Sequence, residues 1–268
     1  MRSYSTPEVE VYLHLGKRVG NKKMITKNSN NTISFSIFSQ FPELLCVMST
    51  RKLGNLNVGK SPIENAEPLL KEYGLKLDQL VVMNQVHGVN VGVVTVNSGN
   101  TIISQTDALM TKAKNLFLSV NTADCVPFFF YDPVKKNVAT AHAGWKGTLG
   151  KIAEHVVKKL QALGSDPQNI YVAIGPHIGG CCYDVSLERA ELFRQQFHGT
   201  SVAFFSENKW YLDLGLANKI QLKESGVLPE HIDTPITCTS CQNDVFFSYR
   251  KENKNTYGEM LGIIGVRG

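Results

Sequence analysis

Apolar residues recur along the 268-residue chain with two different periods. In "GTLGKIAEHVVKKLQALG" they fall at Leu149, Ile152, Ala153, Val156, Val157, Leu160 and Leu163, which is helical spacing, and Gly164 is the expected stop. "SLERAELFRQQF" predicts a second helix with Ser186 as its cap, and Asp213 and Gly226 bracket a third in "DLGLANKIQLKESG". "SPIENAEPLLKEYGL" predicts another that starts at Ser61 and Pro62 and closes at Gly74, with Pro68 inside it weakening the pattern. Elsewhere the apolar residues form short continuous runs. "LLCVMSTR", "LFLSVNTADC", "VPFFFYDP", "NVATAHA", "NIYVAIGP", "HIDTPITCTSC" and "GEMLGIIGV" read as strands, as do one or two segments around Val9–Leu15. "LVVMNQVHGVNVGVVTV" reads as two β-rich runs broken at His87-Gly88. Strands and helices mix irregularly, which predicts an α/β or α+β fold with mixed sheets rather than a regular βαβ series.

Neither a linker nor an internal repeat divides the chain, so a single domain over 1–268 is expected, with residues 1–40 as an extension packed on it. A hydrophobic content of 43% is ordinary for a globular protein. The net charge of +5 is spread out; without a basic stripe interleaved with aromatics it predicts no nucleic-acid partner. The first twenty residues lack the apolar core of a secretory leader, and no run of about eighteen apolar residues predicts a membrane span. Six cysteines in such a chain fit reduced thiols in the cytoplasm better than disulfides.

One stretch changes the picture. In "TADCVPFFFYDPVKKNVATAHAGWKG" Cys125 precedes one apolar run and His142 ends the next. If Asp132-Pro133-Val134-Lys135 is a β-turn, the hairpin folds about the 133/134 peptide and Cys125 faces His142 directly, with Cβ atoms about 5 Å apart. A looser turn shifts the register by a residue or two and leaves both groups at the same end. Either residue alone is better read as a buried thiol or a satisfied core histidine. His87, beside a glycine at a break between strands, is a third donor, although spacing does not distinguish it from a core histidine. Two imidazoles and a thiolate would leave a fourth tetrahedral position open, the pattern of catalytic zinc. Cys238-x-x-Cys241 lacks a second spaced pair, since Cys181 and Cys182 are adjacent, and buried thiols in a strand are the expectation there.

The stretches "STRKLGNLNVG", "NQVHGVNV", "TDALMT", "NTADCVPFFFYDP", "AHAGWKGT", "AIGPHIGGCCYDV", "YLDL", "CTSC" and "FFSYR" together resemble the polyphenol-oxidase/laccase-like domain family, now regarded as purine nucleoside phosphorylases. The resemblance runs from about Ser49 to the C-terminus. It implies a layered α/β/β/α fold and a zinc site at His87, Cys125 and His142. It also implies phosphate-dependent cleavage of adenosine, inosine, guanosine and 5′-methylthioadenosine, with adenosine deamination as a second activity and, in some bacterial members, peptidoglycan-precursor editing. The family usually has arginine where this chain has Lys146, which keeps the charge and loses the bidentate fork. Its glycine-rich segment after Arg51 is shorter here.

Cys125 and His142 are therefore the expected catalytic pair, and Arg51 and Lys146 the expected substrate-binding residues. Gly144 to Thr148, at a helix start, would favour phosphate. Asp124 is expected to orient a ligand, act as a base or cap a turn; His177 and Tyr183 to line the purine pocket or pack. Two readings compete with the zinc enzyme: a metal-free hydrolase with Cys125 as nucleophile and His142 as base, and a partner-binding scaffold around a structural zinc. Copper is less favoured, because the seven histidines include no His-x-His pair.

Overall fold

The computed structural model describes residues 25–59, 62–234, 237–252 and 257–268. The expected strands around Val9–Leu15 and the Ser61 cap lie outside these.

Two large mixed sheets form the centre of the molecule. One has seven strands in the spatial order Ile25–Lys27, Thr32–Phe35, Leu44–Ser49, Met260–Val266, Phe117–Thr122, Leu80–Met83 and Thr101–Ile103. The other has six, in the order Ile232–Asp233, Tyr171–Ile174, Val126–Asp132, Asn137–Ala143, Ala108–Thr111 and Val91–Val93. A small three-stranded sheet of Asp184–Val185, Lys209–Leu212 and Ala203–Ser206 stands apart.

The continuous apolar runs are explained by burial of both faces of these sheets. On Val126–Asp132, Phe128 and Phe130 join a core shared with the helices Ile152–Ala162, Leu187–Gln196 and Leu214–Glu224, while Phe129 and Tyr131 join the core between the two sheets. The outer face of the seven-stranded sheet, with Val47, Val82, Leu261 and Ile263, is covered by Leu69 and Leu70 of the helix Glu67–Glu72. The layers are thus helix, sheet, sheet, helix, as the resemblance implies. Of the first forty residues, those described add two edge strands and a turn, and Phe35 and Phe38 enter the core between the sheets.

The predicted helix signals operate as expected at five positions. Ser186 and Asp213 accept hydrogen bonds from the amides of Arg189 and Leu216, and Gly164, Gly226 and Gly74 take positive φ just past their helices. Pro68 is tolerated because the α-helix starts only at Glu67, after the 3₁₀ turn Ile63–Ala66, so the proline falls in the first turn, where its missing N–H costs nothing.

Three expectations need correction. The helix over residues 149–163 is two: Trp145–Leu149 and Ile152–Ala162, separated at Lys151 with φ 60°. The break has a tertiary cause. Gln221 Nε2 donates to the Thr148 carbonyl at 2.9 Å and Asn218 Nδ2 to its hydroxyl at 2.9 Å, so Thr148 is captured by the neighbouring helix. The hairpin register is shifted by two, with His142 opposite Pro127 and Asn137 opposite Asp132. Asp132 Oδ1 accepts from the amides of Val134 and Lys135, which widens the connection to four residues and closes it with Lys136 at φ 58°. "HIDTPITCTSC" contributes only Ile232–Asp233 to a sheet, and residues 238–241 lie in turns. The two β-rich runs flanking His87 belong to different sheets, so the break between them spans the sandwich.

The Phe129 ring fills the space between the sheets where a Cβ on Gly262 would otherwise collide with it. Phe129→Ala is expected to lower the unfolding free energy by about 3–5 kcal/mol in urea titration, the usual cost of emptying a buried phenylalanine site. A loss below about 1 kcal/mol would contradict the packed sandwich.

Candidate metal centre

The site is assembled from three places in the chain, and a buried carboxylate joins two of them. Asp107 stands immediately before the strand Ala108–Thr111, which pairs with Asn137–Ala143 so that Ala108 faces Ala141. That register brings the Asp107 carbonyl to the His142 amide at 2.8 Å and its Oδ1 to His142 Nδ1 at 2.9 Å. The same carboxylate accepts the amides of His87 at 2.9 Å, Gly88 at 2.7 Å and Val86 at 3.2 Å. These bonds hold His87 in left-handed backbone, φ 61°, a conformation unfavourable for a residue with a side chain. Asp107 is fully buried. Burial pushes its carboxyl up, but the hydrogen bonds from His142 and from the Gly88 and Val86 amides outweigh it and hold the group below the usual carboxylate range.

Cys125 lies between the strand Phe117–Thr122 and the strand Val126–Asp132, where the chain passes from one sheet to the other. In the shifted register it faces Gly144 just beyond the ladder. A Cβ on Gly144 would stand 3.2 Å from Cys125 Sγ and 2.7 Å from His87 Cδ2, so only glycine leaves room for thiol and imidazole together. Cys125 Sγ is 3.8 Å from His87 Nε2, and the His87 and His142 rings meet edge to face with centroids 4.7 Å apart. One donor atom from each of His87, Cys125 and His142 lies within 4.8 Å of the others. The three expected ligands therefore converge. His142 is buried, Cys125 is half-buried and His87 is exposed, so one side of the group faces outward.

The donor set fits a metal. With Nδ1 bound to Asp107, His142 presents Nε2 to the group, the two-tier arrangement that orients metal-binding histidines. Burial pushes the Cys125 thiol up, but His142 and His87 outweigh it and bring it down to about 7. Burial pushes His142 down, but the Cys125 thiolate and the Asp107 carboxylate raise it to about 9. Without a metal these shifts favour a thiolate beside an imidazolium between about pH 7 and about pH 9.

The other expected residues are distributed around this group. Lys146 is exposed in the first turn of Trp145–Leu149, 5.7 Å from the Trp145 ring centroid, with no carboxylate in ion-pair range among the described residues. Arg51 pairs with Glu252 at 2.7 Å and stacks on Phe247 at 4.6 Å. Asp124 is buried with φ 86°, accepting from the Thr239 hydroxyl and, at 2.7 Å, from the Arg250 amide. Its oxygens are engaged in joining loops, although burial still pushes its carboxyl up. His177 Nδ1 donates to the Gly175 carbonyl at 2.8 Å, and its other nitrogen packs on Gly215. Tyr183 is half-buried, with Arg250 over its ring at 5.1 Å, and both it and Tyr257 lie within electrostatic reach of the Cys125 sulfur. Arg189 stacks on Trp145 at 4.3 Å. A cleft of about 820 Å³ lined by Leu53, Glu64, Lys71 and Leu77 shares no residue with this site.

Asp107 is the functional residue that spacing rules pass over. Its signal is a carboxylate abutting a buried strand, in "TDALMT", since a buried charge requires partners of its own.

Comparison with known proteins places the chain in a family. Residues 56–267 match the family described as multi-copper polyphenol oxidoreductase laccase, and the chain belongs to that family. It is 35% identical to the purine nucleoside phosphorylase YlmD of Bacillus subtilis, over 76% of this chain and 77% of that protein. It is 32% identical to the adenosine deaminase RL5 of an unknown prokaryotic organism, over 73% of this chain and 78% of that protein. The crystal structure of YlmD from Geobacillus stearothermophilus superposes with a TM-score of 0.84 at 31% identity, covering 91% of this chain and 99% of that one.

Two predictions follow from the electrostatics. Asp107→Asn cannot accept from His142 and all three amides with one oxygen, and is expected to weaken zinc binding about 10–100-fold in competition with a chromophoric chelator; unchanged affinity would remove Asp107 from the account. Metal binding needs the thiolate and the neutral imidazole. At pH 8 the thiol (about 7) has largely lost its proton and His142 (about 9) still holds one, so binding should expel about one proton. Zinc affinity should rise with pH between these values and fall steeply below about 7. Calorimetry in buffers of different ionisation enthalpy reads the proton; none released at pH 8 would contradict the pair.

Proposed function

We propose that this protein is a zinc-dependent purine nucleoside phosphorylase, cleaving adenosine, inosine, guanosine and 5′-methylthioadenosine with phosphate, and deaminating adenosine as a second activity. The observation that carries the reading is the convergence of His87, Cys125 and His142 with one outward side, in a chain similar to proteins named for both reactions. Its place of action on this reading is the cytoplasm, as one domain, with purine nucleosides and phosphate as its partners.

His87, Cys125 and His142 would hold the ion, which when bound supplies Lewis acidity and an acidified water. Zinc suits two nitrogens and one sulfur of intermediate softness. The chain's own residues do the rest. Asp107 fixes the His142 tautomer and the His87 backbone, so neither donor must reorganise when substrate arrives. Tyr183 and Tyr257 offer aromatic faces near the sulfur for a flat purine. Among the described residues Lys146 has no carboxylate partner in ion-pair range, and it stands with the first-turn amides of Trp145–Leu149, which supports its role as the phosphate contact. Arg51, held by Glu252 and the Phe247 ring, is the second proposed substrate contact. In phosphorolysis a phosphate oxygen bonds to C1′ as the bond from C1′ to the purine nitrogen breaks, giving ribose 1-phosphate and free base. In deamination water replaces the 6-amino group, giving inosine and ammonia.

Metal-quantified protein incubated with inosine should release hypoxanthine only when phosphate is present, and with adenosine should form inosine without it. Lys146→Ala should raise the phosphate KM about tenfold or more, a hydrogen bond to a charged group being worth about 1.5–3 kcal/mol, and leave zinc content unchanged. Equal loss of zinc and phosphate response would reject that division of labour. Turnover by metal-free protein, abolished by alkylating Cys125, would instead favour the thiolate–imidazolium hydrolase. Copper in place of zinc at full activity would overturn the choice of metal.

A further inference from the structure

We propose that Cys181, Cys182, Cys238 and Cys241 form a second metal site, a closed tetrathiolate centre for zinc that locks residues 237–252 in place beside the His87–Cys125–His142 group. The four sulfurs lie within 4.8 Å of one another, and Cys241 Sγ is 3.6 Å from Cys181 Sγ and 3.4 Å from Cys182 Sγ. A tetrahedral zinc with bonds of about 2.3 Å sets its sulfurs about 3.8 Å apart, so the cluster already has nearly the size required. All four cysteines are free thiols. None lies in a strand, contrary to the expectation for Cys238 and Cys241: Cys181 and Cys241 are exposed and Cys182 and Cys238 half-buried, which leaves an entry path for an ion.

The two turns that carry the four sulfurs are packed closely together. A Cβ on Gly179 would stand 3.2 Å from Cys181 Sγ and 3.3 Å from Cys238 Cβ, so the turn can wrap this closely only with glycine. Cys181 and Cys182 serve together because the Cys182 and Tyr183 amides both return to the Gly179 carbonyl, curling the two side chains around one turn. Their adjacency in sequence is what hides the site from spacing rules. Four protein sulfurs leave no position for water or substrate, which makes the centre structural.

Its effect would reach the first site. Two backbone bonds already join the segments, His177 amide to Thr237 carbonyl at 3.4 Å and Thr239 amide to His177 carbonyl at 3.0 Å. The segment so anchored carries Thr239 and Arg250, which hold the Asp124 carboxylate next to Cys125, and Glu252, which holds Arg51. An ion at the four thiols would tie residues about sixty positions apart into one rigid floor for that loop.

The test uses the full chain, purified under reducing, oxygen-free conditions, loaded with zinc and desalted. Wild type should retain two zinc ions per chain, His87→Ala/His142→Ala one, and the same variant with Cys181→Ser/Cys241→Ser none. Cobalt added to His87→Ala/His142→Ala should give the intense ligand-field and sulfur-to-metal bands of a tetrahedral tetrathiolate. This reading does not require the cysteine variants to fold. Removing the second ion should expose the 237–252 segment to proteolysis before the rest of the chain. Zinc-free His87→Ala/His142→Ala protein that is folded by circular dichroism, a cobalt spectrum without thiolate bands, or mass spectra showing disulfides among the four cysteines of the freshly purified chain would overturn the proposal.

Discussion

The Asp107 carboxylate is the interaction on which the site depends. It is fully buried, and a buried charge survives only when its hydrogen-bonding capacity is filled. Four donors fill it here: one imidazole nitrogen and three consecutive amides. The amides come from the segment that crosses between the sheets, and the imidazole from the central strand of one of them. One anion therefore fixes the position of one metal-binding histidine through its backbone and the orientation of the other through its ring. After the Cys125 thiolate, it is the second source of the negative charge that keeps His142 basic.

The sandwich makes that arrangement rigid. Cys125 sits where the chain leaves the seven-stranded sheet for the six-stranded one, and His87 sits on another such crossing. Fully buried strands pin the Cys125 loop at both ends, and the His87 loop runs from the buried strand Leu80–Met83 to the strand Val91–Val93, so the reactive groups are carried on short spans between fixed points. Gly144 completes the geometry by lacking a side chain where thiol and imidazole need the space. His142, on the buried side of the group, is held by Asp107, while His87 is exposed on the other side.

Much of this was legible in the sequence. Helical spacing with Ser186, Asp213, Gly164 and Gly226 located the ends of three helices, because caps and stops are local chemistry. The hairpin logic brought Cys125 and His142 to one end, although the register depended on Asp132 capturing two turn amides, which a Pro-containing turn of minimal length does not anticipate. The split at Lys151 was invisible because its cause, Gln221 and Asn218, lies some seventy residues away. Arg51 reads as a free cation in a glycine-rich turn, and only the folded chain delivers Glu252 to it. The four outlying cysteines read as unconnected for the same reason: two of them are adjacent, and the pairing of the 177–183 turn with the 237–241 turn is tertiary.

The central claim is that one buried carboxylate organises two imidazoles and a thiolate around an ion with a vacant fourth position. A crystal structure of the zinc-loaded protein, with anomalous data at the zinc edge, tests it most directly. The account predicts an anomalous peak bonded to Cys125 Sγ at about 2.3 Å and to Nε2 of His87 and His142 at about 2.0–2.1 Å, solvent as the fourth ligand, and His142 Nδ1 still on Asp107. A peak ligated by Asp107 itself, a fourth protein ligand closing the site, or no metal among these residues would contradict it.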